Sequence, residues 1–308
     1  MATLKSQAEA LIEYANGVTG KSDASLGDCV KSLADYYGGS SESVFPTITD
    51  ADLLSSQVQA LITYANSVDG KSDVTLGDAM RSLADGTPQW MRDAAETYGL
   101  DIANLKQAMQ DYTFVDYLQS SGVQYINTGV TSTDFTTDLN INIDMQYTEE
   151  QSYGLNGWNS GGQFGQKNGL WSTETTVSTV SALSRTRLKV HFSLSQRTEE
   201  LLVNDEQICM RKFATSISSY VIKGYPIFVA LTSSGYVYNP SKCIVYSCYM
   251  LNEEDVNLRF LLPCLRKSDS KPMMLDLTTM TEYVNQGSGD DFTYGDEVTL
   301  EAKFAELS

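Results

Sequence analysis

The chain has 308 residues, 42% of them hydrophobic, with 39 acids against 21 bases and a formal net charge of −18. That is enough apolar material for two cores and too much for a disordered chain, while the acidity, spread over both halves, argues against nucleic acid and anionic membranes as partners. No apolar run reaches the roughly 18 residues of a membrane span, and MATLKSQAEALIEY carries acids and amides where a signal peptide needs an apolar stretch, so neither insertion nor general-route export is expected.

The first elements form a repeat. SQAEALIEYANGVTGKSDASLGDCVKSLAD, Ser6 to Asp35, returns as SQVQALITYANSVDGKSDVTLGDAMRSLAD, Ser56 to Asp85, with about two-thirds of positions identical. Each copy reads as two short helices. Leu4, Ala8, Leu11, Ile12 and Ala15 fall at helical spacing, as do Leu54, Val58, Leu61, Ile62 and Ala65. The second helix carries Leu26, Val30 and Leu33, or Leu76, Met80 and Leu83. Ser25 or Thr75 is placed as N-cap, with Asp28 or Asp78 three residues on. Gly20 and Gly70 suit left-handed C-caps of the first helices.

Gly20-Lys21-Ser22 imitates the end of a phosphate-binding loop. In GxxxxGK[ST] the first glycine falls on Ala15 and Ala65, a helix precedes it and no β-α-β pattern follows. The triplet is therefore read as a helix-helix turn. Hairpins this small bury little alone and must pack together or on partner chains. The expected division is hairpin 1 over 1–37, a linker over 38–50, hairpin 2 over 51–86 and a helical linker over 87–113. In that linker Thr87-Pro88 starts a helix, Gly99 ends it and Asp101 caps the next.

From residue 114 to 308 the texture is that of strands. LNINIDMQY, Leu139 to Tyr147, alternates apolar residues with Asn140, Asn142, Asp144 and Gln146. RLKVHFSL alternates likewise, LLVNDEQI offers Asn204-Asp205 as a tight hairpin turn, and IFVALT and CIVYSCYML follow as strands. The fold class expected is α then β: helical-hairpin repeats followed by an antiparallel β-sandwich.

Few residue patterns promise catalysis. Jelly-roll glycosidases need paired carboxylates, but Asp144 is flanked by Asn142 and Gln146, so no acid/base pair is expected. Asn142 and Asp144 remain candidates for hydrogen bonds to sugar hydroxyls. His191, the single histidine, is expected to be a packing residue. The five cysteines, 29, 209, 243, 248 and 264, are expected to be free thiols. Asp290, Asp291, Asp296 and Glu297 lack EF-hand spacing and read as a solvated turn, the alternative being a calcium site. Aromatic faces suit sugar rings, which makes Trp158, Trp171, Tyr236 and Tyr238, with neighbouring Asn239, candidates; Trp158 and Trp171 also suit a core. No catalytic residue, metal or cofactor is expected.

YLQSSGVQYINTGV (Tyr117 to Val130), YGLNGWNSGGQFGQKNGLW (Tyr153 to Trp171), CIVYSCYMLNEEDVNLRFLLPCLRK (Cys243 to Lys267) and LDLTTMTEYVNQGSGDDFTYG (Leu275 to Gly295) resemble, in order, motifs of concanavalin A-like (laminin G-like) jelly-roll domains in phage and prophage structural proteins. The repeat resembles modules of the form ANxxTGxSDxTLxDAVxSL near the start of phage tail and fibre proteins. These resemblances imply a jelly roll and a non-enzymatic virion protein of the tail, baseplate or fibre, made in the bacterial host cytoplasm. Its helices would join other virion proteins, its sandwich would bind a host-surface glycan, and it would form a homo-oligomer, a trimer by analogy. The alternatives are an architectural head-fibre or decoration protein that binds only virion partners, and a glycan-degrading jelly-roll enzyme.

Overall fold

The computed structural model describes residues 4–36, 54–69, 72, 74–85, 87–131, 133–151, 154–158, 163–173, 175–212, 225–231 and 237–307. The chain forms two compact units, Met1–Thr97 and Tyr98–Ser308. Among the described residues no helix is long and apolar enough to cross a membrane. The 38–50 linker expected from sequence, and Gly70, lie outside the described residues.

The first unit contains α1 (Leu4–Thr19), α2 (Leu26–Tyr36), α3 (Leu54–Asp69) and α4 (Leu76–Asp85), with α5 (Gln89–Tyr98) running to its boundary. The two hairpins share one core. Ala15, Cys29, Val30 and Leu33 pack with Leu61, Ile62, Ala65, Leu76, Ala79 and Met80. Equivalent positions such as Ala15/Ala65 and Val30/Met80 are buried together, so the repeat packs against its own copy. Both N-caps form: the Asp28 N–H donates to Ser25 Oγ at 3.1 Å, and the Ser25 hydroxyl in turn donates to the Asp28 carboxylate at 2.6 Å. Thr75 and Asp78 repeat that geometry.

The Gly-Lys-Ser turn is held by neighbours rather than shaped for phosphate. Gly20 sits at φ +70° and its N–H closes on Asn16 O at 2.9 Å. The Asn16 side chain spans the turn, donating to Asp23 O and accepting from Asp23 N, both at 2.9 Å. The Lys21 ammonium donates to Ser32 Oγ of α2 at 3.3 Å.

In the second unit Gly99 (φ +61°) ends α5, and Asp101 caps α6 (Ile102–Asp111) by accepting from Ala103 N at 2.7 Å. The strands that follow are β1 (Tyr112–Phe114), β2 (Leu118–Gln119), β3 (Ile126–Asn127), β4 (Asp138–Tyr147), β5 (Gly154–Trp158), β6 (Gln163–Lys167) and β7 (Leu170–Thr173). Next come β8 (Val177–Ser181), β9 (Thr186–Ser193), β10 (Thr198–Val203), β11 (Glu206–Lys212), β12 (Pro226–Ile227), β13 (Val229–Leu231) and β14 (Val237–Pro240). The last are β15 (Cys243–Leu251), β16 (Asn257–Arg266), β17 (Pro272–Asp276), β18 (Thr281–Tyr283) and β19 (Thr293–Tyr294), before α7 (Leu300–Leu307).

These strands make a large antiparallel sandwich. An 11-stranded sheet runs β11-β10-β9-β4-β15-β16-β17-β18, with β1, β2 and β19 attached; a 6-stranded sheet runs β14-β13-β5-β6-β7-β8. The pair β5–β13 is parallel. The alternation of β4 sends Leu139, Ile141, Ile143 and Met145 into a core shared with Leu188, Val190 and Phe192 of β9 and with Phe164 and Trp171 of the smaller sheet. Trp171 is fully buried, edge-on to Tyr147 at 5.7 Å, so it is a core residue and not a sugar platform. All five cysteines are buried free thiols.

Two local features depart from simple patterning or explain it. IFVALT is not one strand: Phe228 takes φ +73°, separates β12 from β13 and packs in the core against Phe292, the rings tilted at 41° with centroids 4.7 Å apart. The expected Asn204-Asp205 hairpin does form, with φ +51° and +61° between Val203 and Glu206, the conformation of a type I′ turn.

Candidate functional site

On β4 and β9 the other face of the large sheet is polar. Along β4, Asn140, Asn142, Asp144 and Gln146 alternate with the core residues. Strand order then brings distant residues beside them. Asn142 is opposite Lys189 on β9 and Tyr249 on β15, and Lys189 is opposite Leu202 on β10. Asp144 is opposite Arg187 on β9 and Ser247 on β15. Together with Asn204 and Asp205 of the hairpin turn and Leu307 of α7, these residues line a cavity of about 180 Å³. Drug-sized sites run roughly 300–1,000 Å³, so this one suits a group the size of a single sugar ring.

Most of the polar lining is uncommitted. Among the described residues, the side chains of Asn142, Lys189, Asn204, Asp205 and Ser247 have no hydrogen-bond or ion-pair partner. Tyr249 is fixed from behind, stacked on Phe260 at 5.6 Å and 15° and edge-on to Tyr98 at 5.9 Å. Burial raises its hydroxyl pKa, the cation of Arg187 opposing the shift, so the phenol stays protonated and able to donate.

Asp144 is committed. Its side chain is 5% exposed, and Arg185 donates to both carboxylate oxygens. Arg187 Nε is 3.8 Å away. Burial opposes the charge on Arg185, but hydrogen bonds to Asp144 and Glu306 outweigh it and raise its pKa. The same guanidinium lies 3.8 Å over the Tyr246 ring. Asp144 therefore shapes the cavity floor, with both oxygens engaged by Arg185.

Of the six residues expected from sequence, the structure brings two together and places three on the other sheet. Asn142 and Asp144 line the cavity. Trp158 is on β5 opposite Leu231, and Tyr238 and Asn239 are on β14, all in the smaller sheet. Tyr236 lies outside the described residues. His191 is not a core residue: it sits on the polar face, 3.5 Å from Asp138 and 3.8 Å from Glu200. Among the described residues no group of three or more His, Cys, Asp or Glu is arranged to hold a metal ion. At 290–297 the backbone is engaged instead, Asp290 O accepting from Gln124 and Asp296 O from Asp116 N.

Sequence reading missed Arg187, Lys189, Asp205, Ser247 and Tyr249. Arg187 and Lys189 were visible as the polar half of RLKVHFSL, but their neighbours were not, because β9, β4 and β15 are distant in sequence. Ser247 and Tyr249 carried no signal: β15 is buried on both faces and does not alternate.

No family model and no curated protein matches the sequence. Among solved structures, a protein from Bacteroides ovatus described as a proposed carbohydrate-binding protein aligns at 10% identity with a TM-score of 0.38. The alignment covers 62% of each chain, less than two-thirds of either. At that similarity nothing about the ligand of this chain follows from the match.

Proposed function

We propose that the sandwich is a non-catalytic carbohydrate-recognition domain that binds a sugar in the outer-face cavity. The observation that carries this reading is the set of uncommitted side chains, Asn142, Lys189, Asn204 and Ser247, gathered beside the fixed Tyr249 in a space the size of one sugar ring. Sugar hydroxyls supply donors and acceptors in the same density. The Asp144–Arg185 pair supports binding over hydrolysis, since it leaves Asp205, on an exposed turn, as the one uncommitted carboxylate of the lining.

The finer reading is a jelly roll in a phage virion protein, supported by the resemblance of residues 115–300 and of the helical repeat. In that setting the helices join other virion proteins, the chain is a homo-oligomer, a trimer by analogy, and many copies offset a weak single site. The test is a glycan array with the intact protein and its Asn142→Ala, Trp158→Ala and Tyr236→Ala variants. A hit lost with Asn142→Ala and kept in the other two supports this site. A hit lost with Trp158→Ala or Tyr236→Ala alone moves recognition to the smaller sheet or its loop. A blank array with tight assembly onto virion parts favours the architectural reading, and release of product favours an enzyme.

A further inference from the structure

We propose that the ligand of the outer-face cavity is an acidic glycan, its carboxylate held between the guanidinium of Arg187 and the ammonium of Lys189. This rests on the carbohydrate reading above and adds the charge of the ligand. Arg187 and Lys189 are two residues apart on β9, so both rise from the polar face, about 7 Å apart along the strand. In a chain with 39 acids and 21 bases, cations readily find carboxylates. Arg185, Lys242, Arg266 and Lys303 do so at 2.9 Å, 2.7 Å, 2.9 Å and 3.7 Å.

Lys189 does not, as Lys21, Arg197, Lys212, Lys267 and Lys271 do not among the described residues, and of these it is the one that lines the cavity. It is half-buried on the sheet, and among the described residues it pairs with no acid. An ammonium partly withdrawn from water without a counter-charge is costly, and a bound anion removes that cost. Arg187 is 58% exposed on its side chain and approaches one acid, Asp144 at 3.8 Å, whose oxygens Arg185 already occupies. Its planar fork is thus left to an external acceptor, and carboxylate is the group it fits in two parallel hydrogen bonds. Asp205 is the opposing charge in the lining, set on the hairpin turn without an ion pair to either cation.

The experiment uses the full chain on an array that pairs uronate and sialate oligosaccharides with their methyl esters, followed by calorimetry on the hits. The expected result is a tenfold or greater preference for the acid over its ester, the range of a charge-assisted contact. Arg187→Gln and Lys189→Gln should each erase the preference, Lys189→Arg should keep it, and Asp205→Asn should tighten acid binding. Because acid and ester are compared on the unaltered protein, the result does not depend on any variant folding. Equal binding of acid and ester, abolished by Asn142→Ala, overturns the charge assignment and leaves the carbohydrate reading standing. Binding only of phosphate-bearing glycans also overturns it. No binding of any glycan removes both.

Discussion

Arg185 holds Asp144 by both oxygens, with Nε at 3.1 Å from each and Nη2 at 2.9 Å from Oδ2. The carboxylate is almost wholly withdrawn from water and the guanidinium is 36% exposed. Removing the cation strands a buried charge. Arg185→Met is therefore expected to cost about 2–4 kcal/mol, the lower part of the range for buried pairs because Arg185 is partly solvated. The second partner, Glu306, is 43% exposed, so Glu306→Ala should cost under about 1 kcal/mol. Urea unfolding midpoints separate the two; equal small losses would mean that Asp144 reaches water on its own.

Asn16 should matter more to the helical unit than the Gly-Lys-Ser triplet that draws the eye. Its amide makes two hydrogen bonds to the backbone of Asp23 and so fixes the angle at which α2 leaves α1. Asn16→Ala is expected to cost about 1–2 kcal/mol, whereas Lys21→Ala, which loses one long contact to Ser32, should cost about half of that or less. Hydrogen exchange of the α1 and α2 amides in the full chain reads both.

What the sequence disclosed follows the reach of each signal. Local chemistry was legible: the Ser25–Asp28 and Thr75–Asp78 N-caps, the Asp101 cap, the Gly99 terminator and the Asn204-Asp205 turn each depend on residues within four of one another. The alternation of β4 and β9 was legible for the same reason, since one face of each is core. The cavity was only half legible. Asn142 and Asp144 advertised a polar face, but nothing local says that β9 and β15 flank β4, so Lys189 and Tyr249 could not be placed beside them. Asp144 was legible as an acid and illegible as a paired one, because Arg185 reaches it from 41 residues away. Trp171 was legible as a core residue as well as a platform, and the opposing sheet places it in the core.

Gly287 is required by close approach. A Cβ there would sit 1.8 Å from the carbonyl oxygen of Val123, a backbone atom that cannot swing aside. Gly287→Ala is expected to cost about 3 kcal/mol or more. Gly17, inside α1 with nothing within 4 Å, is its control: Gly17→Ala should stabilise by about 0.5–1 kcal/mol through helix propensity. Thermal melts should shift in opposite directions, and a shared direction would contradict the geometry at one of the two sites.

Lys303 gives a pH signature for the docking of α7. Its side chain is 3% exposed, with the ammonium at the carbonyls of Asp116 and Tyr246 and 3.7 Å from the Asp116 carboxylate. Burial lowers its pKa from 10.5 to about 8, and the nearby acids only partly offset this. Between those values the unfolded chain carries a proton that the folded chain has released, so stability from this group rises as pH climbs from about 8 to 10.5. The gain is at most about 3 kcal/mol for a shift of that size. Lys303→Met removes the titrating group, so the unaltered protein should gain stability relative to the variant between about pH 8 and pH 10.5, with the difference isolating Lys303 from the tyrosines and thiols that also ionise there. Parallel pH profiles for the two proteins would show that the ammonium keeps its water and that α7 is held by the Phe304–Phe260 stack at 5.7 Å instead.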